Sequence, residues 1–188
     1  MAKAYEHEVE IKVKVQSLDD LHSKLVKLGF VFDEPVVQKD VIFINILDGW
    51  PEFNPNRIAL RIREENNKIL FTFKRPVANE LDKIERETEI GDASKMRDII
   101  LFLGFTEISK VNKKRITAEK NDISICLDEV ENLGSFIEIE KLTDGKASEK
   151  VQQELMDFLN SLGIESSERI TQGYDTMMAS LISSQNTK

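Results

Sequence analysis

The residues best suited to chemistry are charged side chains that recur at every second position. In His7-Glu8-Val9-Glu10-Ile11-Lys12-Val13-Lys14-Val15 the even positions are charged and the odd positions beyond His7 apolar. An extended strand therefore puts Glu8, Glu10 and Lys12 on one face. Further along, Arg57, Arg61 and Arg63 alternate with Ile58, Leu60 and Ile62, and Lys68, Thr72 and Lys74 with Ile69, Phe71 and Phe73. Glu85, Glu87 and Glu89 share one parity, as do Glu138 and Glu140, which alternate with Ile137 and Ile139 after Asp128. Guanidinium and ammonium groups suit phosphate oxygens, and clustered carboxylates suit a hard divalent cation. A face that gathers both kinds complements a metal-bound polyphosphate. An ordinary solvated strand face, on which each charge pairs only with its cross-strand neighbour, is the plainer alternative at every one of these positions.

The elements that must position these residues are mostly strands. Period-two runs occur at 7–15, 36–45, 57–65, 67–75, 83–91, 106–119, 121–128 and 134–142, eight in all. Tight hairpins are expected at Asn66-Asn67, at Lys120-Asn121-Asp122 and at Glu131-Asn132-Leu133-Gly134. Three segments have helical spacing instead. Ser17 caps a helix with Leu21, Leu25 and Leu28; Asp92 caps one with Met96, Ile99, Ile100 and Leu103; Ser148 caps one with Val151, Leu155, Phe158, Leu159 and Leu162. Their endings, Leu28-Gly29-Phe30, Leu103-Gly104-Phe105 and Leu162-Gly163-Ile164, look alike, so a helix-then-strands unit would occur twice, in 1–91 and 92–188. A fourth short helix is expected after Gly173, with Tyr174, Met177, Met178 and Leu181. Two architectures fit: an open sheet with its charged face in water, or a closed barrel with the charges inside and helices on its apolar outer face. Burying so many charges is costly unless they pair or meet a ligand.

The chain has 188 residues, with 26 basic and 34 acidic side chains and a formal net charge of −8, which disfavours broad contact with a nucleic-acid backbone. A single cysteine, Cys126, excludes an internal disulfide and fits a reducing compartment. Two histidines, His7 and His22, are too few for a histidine-built zinc site, so a metal would be held mainly by carboxylates. The start has no apolar leader, and the longest apolar stretch, Val41 to Leu47, is interrupted by Asn45. A cytoplasmic protein without membrane partners is expected, as one domain over 1–182 with a disordered tail at 183–188.

The spacing Glu8-x-Glu10-x-Lys12 resembles the ExExK signature of the CYTH superfamily, the triphosphate tunnel metalloenzymes. Other segments resemble the family in order along the chain: Arg61-Ile62-Arg63, Phe71-Thr72-Phe73-Lys74, Arg86-Glu87-Thr88-Glu89, Lys113-Lys114-Arg115, and the stretch from Leu127-Asp128 to Glu138-Ile139-Glu140. The resemblance implies a mainly β (α+β) fold: an eight-stranded antiparallel closed barrel, a tunnel with a charged interior and helices packed outside. It implies that Lys12, Arg61, Arg63, Lys74, Lys113 and Arg115 bind the triphosphate. Glu8, Glu10, Asp128, Glu138 and Glu140 would serve a divalent metal, Mg²⁺ or Mn²⁺. Lys12, Glu87 and Glu89 would be catalytic, the two glutamates by binding metal or orienting a basic neighbour. The face or register of Lys14, Arg57, Lys68, Glu85 and Arg75 is left open.

Two reactions share this implied binding mode: hydrolysis of a triphosphate, inorganic or organic such as thiamine triphosphate, and class IV adenylyl cyclase chemistry on ATP. The segment Gln38-Lys39-Asp40-Val41-Ile42-Phe43 resembles the cyclase group, which often has Tyr where Ile42 stands. The group's N-terminal His-Phe arm has no counterpart before Glu8, and Gln172-Gly173-Tyr174 stands where Arg-Ser-Tyr is frequent. Those departures favour a triphosphatase, with the cyclase second and a non-catalytic polyphosphate-binding module as the option from another class. The resemblance allows a homodimer, and no segment demands one. The remaining notable residues have bland readings: His7 and His22 as polar surface residues, Cys126 as an inert filler, Trp50 as loop packing. Tyr174 could cover a tunnel mouth or serve as core packing.

Overall fold

The structure is a computed structural model that describes residues 7–48, 54–143, 148–165 and 169–185. Its strands are β1 (His7–Val15), β2 (Val36–Ile44), β3 (Ala59–Glu65), β4 (Lys68–Asn79), β5 (Asp82–Ile90), β6 (Thr106–Lys120), β7 (Ile123–Val130), β8 (Gly134–Thr143) and a two-residue β9 (Arg169–Ile170). The helices are α1 (Leu18–Lys27), α2 (Ala93–Phe102), α3 (Ser148–Ser161) and α4 (Tyr174–Gln185). Every pairing is antiparallel. The strands run in the order β5-β4-β3-β2-β6-β7-β8-β1, and β1 returns to β5, so the eight-stranded sheet closes on itself. Of the two architectures that the alternation allows, the chain adopts the barrel. Closure turns one parity of every strand inward and leaves sheet edge only beyond the short seam of β1 and β5.

The seam is short. Only His7, Glu8 and Val9 pair with Ile84, Lys83 and Asp82. The next part of the free edge of β1, at Lys12 and Val13, is taken by β9. Local chemistry sets the other turns. Asn66 and Asn67 hold φ of 47° and 63°, the left-handed pair that a two-residue hairpin needs and that Asn tolerates best among residues with a side chain. The strands β4 and β5 reach beyond the expected limits to a hairpin at 79–82, and β4 carries Pro76 at a register shift where a missing N–H does no harm.

The helix ends follow from their sequences. Ser17 accepts from the Asp20 N–H at 3.2 Å and Asp92 from the Lys95 N–H at 2.9 Å. The three similar endings make the same cap: Phe30, Phe105 and Ile164 return their N–H groups to the carbonyls of Leu25, Ile100 and Leu159, across a glycine with positive φ. The apolar outer faces are covered in two places. Ile11, Val13, Ile125, Leu127, Ile137 and Ile139 pack under α1 and α3, through Leu21, Leu25, Leu155 and Leu159. Phe43, Leu60 and Ile62 pack under α2 through Ile100.

The last helix behaves differently. Tyr174 and Met178 pack on Ile42, Val111, Val130 and Phe136, residues of the same strand parity as the charged set, so α4 closes one side of the lumen rather than coating the outside. It extends to Gln185, so the first residues of the expected tail continue a helix. Among the described residues no helix is long and apolar enough to cross a membrane.

Candidate functional site

The inward parity lines a cavity of about 300 Å³ with charged side chains from seven of the barrel strands, β1–β6 and β8. Taking an ion out of water costs several kcal/mol, so such a lumen is stable only if the charges answer one another. On one wall they do so with fixed geometry. Arg63 donates to both Asp40 oxygens, at 2.7 and 2.8 Å. Arg115 forks in the same way onto Asp128, at 2.7 and 2.5 Å, and also donates to Glu138. Arg61 donates to Thr72 Oγ1, Glu85 and Glu87 at 3.0–3.2 Å. Lys74 meets Glu85 at 2.9 Å. Burial alone would raise the Asp40 pKa, yet the Arg63 hydrogen bonds and the nearby Arg61 outweigh it and hold the carboxyl well below the usual range. For Lys113, burial and the neighbouring Arg115 act together and push the ammonium down to about 8, against the pull of Asp128 and Glu138.

The facing wall, at the seam, is acidic. Glu8, Glu10 and Glu140 each offer an oxygen within 4.8 Å of the others. Lys83 reaches Glu8 at 2.5 Å and Glu10 at 2.8 Å. Lys12 lies 3.0 Å from Glu138 and 3.6 Å from Glu10 Oε1. That buried Oε1 receives no hydrogen bond. Burial, then the charges of Glu8 and Glu10, raise Glu140 to about 7, the mark of carboxylates short of positive charge. Three carboxylates, with one oxygen of Glu10 unsatisfied, fit a hard divalent cation such as Mg²⁺ or Mn²⁺.

Tyr174 ties the two walls together. Its ring lies 4.0 Å from Lys12 Nζ and 4.9 Å from Lys113 Nζ, and its hydroxyl donates to Asp128 at 2.9 Å. Lys12 Nζ also donates to the Gln172 carbonyl at 3.2 Å. The turn between β4 and β5 grips the same segment: Glu80 accepts from Gly173 N–H at 2.7 Å and from Thr176 Oγ1 at 3.0 Å. Tyr174 is buried on Ile42, Val111, Val130 and Phe136, as the core-packing reading has it, and it also lines the cavity.

Of the residues singled out from the sequence, Lys12, Arg61, Arg63, Lys74, Lys113 and Arg115 all line the cavity, with Glu8, Glu10, Glu87, Glu138 and Glu140. The carboxylates do not form one cluster. Glu8, Glu10 and Glu140 converge, whereas Glu138 sits between Lys12 and Arg115, and Asp128 is fully buried under Arg115, Lys113 and Tyr174. Glu89 departs from the catalytic expectation. It shares the inward parity but lies nearer the end of β5, 61% exposed, and pairs with Lys68 outside the cavity. Arg57 and Glu85, left open before, line it.

Asp40, Lys83 and Glu80 were missed as site residues. Asp40 and Lys83 do have the inward parity, so a register argument could have found them; Glu80 sits in a turn that no sequence signal exposed. His22 packs its ring on Phe32 with centroids 4.6 Å apart. Cys126 is buried beside Thr117, and burial pushes its thiol up to about 12, so it is inert. The side chain of His7, and Trp50 entirely, lie outside the described features.

Residues 6–174 match the CYTH domain family. A Methanocaldococcus jannaschii protein, provisionally named an adenylate cyclase, is 38% identical over 170 residues, covering 89% of this chain and 95% of the relative. The Aeromonas hydrophila protein named adenylate cyclase CyaB is 24% identical over 90% of this chain and 87% of its own length. Among solved structures, a conserved hypothetical protein from Pyrococcus furiosus superposes with a TM-score of 0.75 at 28% identity, over 89% of this chain and 98% of that one. A Hippeastrum protein described as a provisional adenylyl cyclase with dominant triphosphatase activity superposes at 0.57 with 22% identity, over 89% and 91%.

Proposed function

The chain belongs to the CYTH domain family, whose members are adenylyl cyclases or triphosphatases and are generally metal-dependent, and from that premise we propose that it hydrolyses a short triphosphate. The observation that carries this is the joining of a preformed cationic wall and a convergent carboxylate trio across one small lumen. Arg61, Arg63, Lys113 and Arg115 bind nonbridging oxygens of the chain, and Lys12 and Lys74 neutralise charge that develops as the bridging bond breaks. Glu8, Glu10 and Glu140 hold the divalent cation, Mg²⁺ or Mn²⁺, which supplies Lewis-acid charge to the phosphates when bound. Glu87 holds Arg61 in line. Water then adds to the terminal phosphorus as the bridging P–O bond breaks, giving orthophosphate and the departing diphosphate, with the water's proton passed to solvent or to a lumen carboxylate.

The lining of the cavity favours hydrolysis over cyclisation. Among the described residues that line it, Tyr174 is the one aromatic. Its ring already meets two lysines and its hydroxyl a carboxylate, so its contacts serve the charged lining. Adenylyl cyclase activity is the second reading, favoured by the name of the 38% identical relative. The Hippeastrum neighbour indicates that this fold is compatible with both names. ³¹P NMR of products from inorganic triphosphate, thiamine triphosphate and ATP, with Mg²⁺ or Mn²⁺, separates the two. Orthophosphate release, fastest from inorganic or thiamine triphosphate, is expected. Pyrophosphate with cyclic AMP from ATP would replace this reading by the second.

A further inference from the structure

Lys83 stands where the proposed cation should go. It projects from β5 directly opposite Glu8 in the three-residue seam that closes the barrel. Its ammonium lies 2.5 Å from Glu8 and 2.8 Å from Glu10, two of the three members of the carboxylate trio. Among the described residues neither glutamate has another ion pair as short; Lys12 meets Glu10 at 3.6 Å. Lysine is a point charge on a flexible four-carbon stem, unlike the forked arginines of the other wall. It can therefore leave without dismantling a bidentate geometry.

We propose that Lys83 is a tethered stand-in for the divalent cation: it neutralises Glu8 and Glu10 in the free protein, is displaced when the metal binds there, and then turns to the phosphate chain. The inference rests on the assignment of the metal to Glu8, Glu10 and Glu140 made above. The electrostatics are direct. A divalent ion and an ammonium cannot share the same two carboxylates without strong repulsion. The released ammonium has a neighbour of opposite charge in Glu85, also on the inward parity of β5, and a better one when a triphosphate fills the cavity. Without Lys83 the trio would be left with only the more distant Lys12 to answer its negative charge. Metal and substrate binding are thereby coupled, because the metal frees a phosphate ligand.

The test is calorimetric titration of Mn²⁺ into folded wild-type, Lys83→Met and Lys74→Met proteins without substrate. Moving a unit charge at this range changes occupancy by about one decade or more. Lys83→Met should therefore bind Mn²⁺ about tenfold more tightly than the wild type, and Lys74→Met, whose lysine pairs with Glu85 and feels Glu8 only weakly, should gain less. With Mn²⁺ saturating, the hydrolysis-resistant analogue imidotriphosphate should bind Lys83→Met about tenfold more weakly. Equal Mn²⁺ affinities in wild type and Lys83→Met, or an equal gain in Lys74→Met, would sink the stand-in role alone. Failure of Mn²⁺ to bind either the wild type or Lys83→Met would sink the metal assignment and this inference with it.

Discussion

The two walls of the lumen solve the same problem in opposite ways. On the basic wall, arginines fork onto carboxylates and leave few alternatives: Arg63 with Asp40, Arg115 with Asp128, Arg61 with Thr72, Glu85 and Glu87. At the acidic seam, carboxylates outnumber cations, Lys83 and Lys12 serve them, and one buried oxygen of Glu10 lacks a donor. Planar forks preorganise a surface for phosphate, whereas point charges on long stems can yield to another cation. A rigid binding wall and an exchangeable metal seam thus follow from the choice of residue types at inward positions.

The sharpest way to break this contrast is to remove an internal counter-charge from the rigid wall. Asp40→Ala leaves Arg63 buried without its partner and should cost about 3–5 kcal/mol in urea unfolding; a loss no larger than that of a surface substitution would mean the wall is not prebuilt. Arg61→Ala should lower turnover of triphosphate about 10²–10³-fold while circular dichroism stays native. Turnover near that of the wild type would remove the basic wall from the reaction. Tyr174→Phe deletes the donor to buried Asp128, and thermal or urea unfolding should register about 1.5–3 kcal/mol.

Titration sharpens the contrast further. The Lys113 ammonium is pushed down to about 8, so triphosphate affinity should fall as pH rises through that value, by at most about tenfold per pH unit. For stability the sign is reversed. Between about 8 and the ordinary lysine value of 10.5, the unfolded chain binds more protons than the folded one, so this group makes stability rise with pH across that window. Binding and unfolding followed from pH 7 to 10, with Lys113→Met as reference, check both signs. The smallest effect is expected at Glu89→Gln, outside the lumen, where turnover should stay within about twofold; a large loss would return Glu89 to the site.

Much of the fold was legible because each local signal agreed with its neighbours. The paired Asn66 and Asn67 marked a hairpin, and the three Leu-Gly-apolar endings marked three like helix caps, since only certain residues accept left-handed backbone. What local patterning could not reveal was where the inward parity stops facing the lumen. Glu87 and Glu89 have the same parity, yet one lines the cavity and the other meets Lys68 at the surface. Alternation says which face a side chain takes and nothing about its height along the barrel. Glu80 had no signal at all, because its role depends on α4 returning across the mouth some ninety residues later in the chain.

By itself, then, the sequence determined the alternation, the turns, the helix caps and the inventory of cations and carboxylates, because these depend on neighbours within a few residues. Alternation left the sheet open or closed and the family resemblance pointed to closure; tertiary structure put the seam at β1 and β5 and decided which charges answer each other. It chose Asp128 for the arginine wall and Glu140 for the seam, although both carboxylates lie on neighbouring strands of one sheet. The reason is physical: a charge inside a barrel is set by the register of adjacent strands, which local alternation does not reveal; Arg63 lies opposite Asp40, Arg115 opposite Asp128 and Lys12 opposite Glu138 only once the strands have paired.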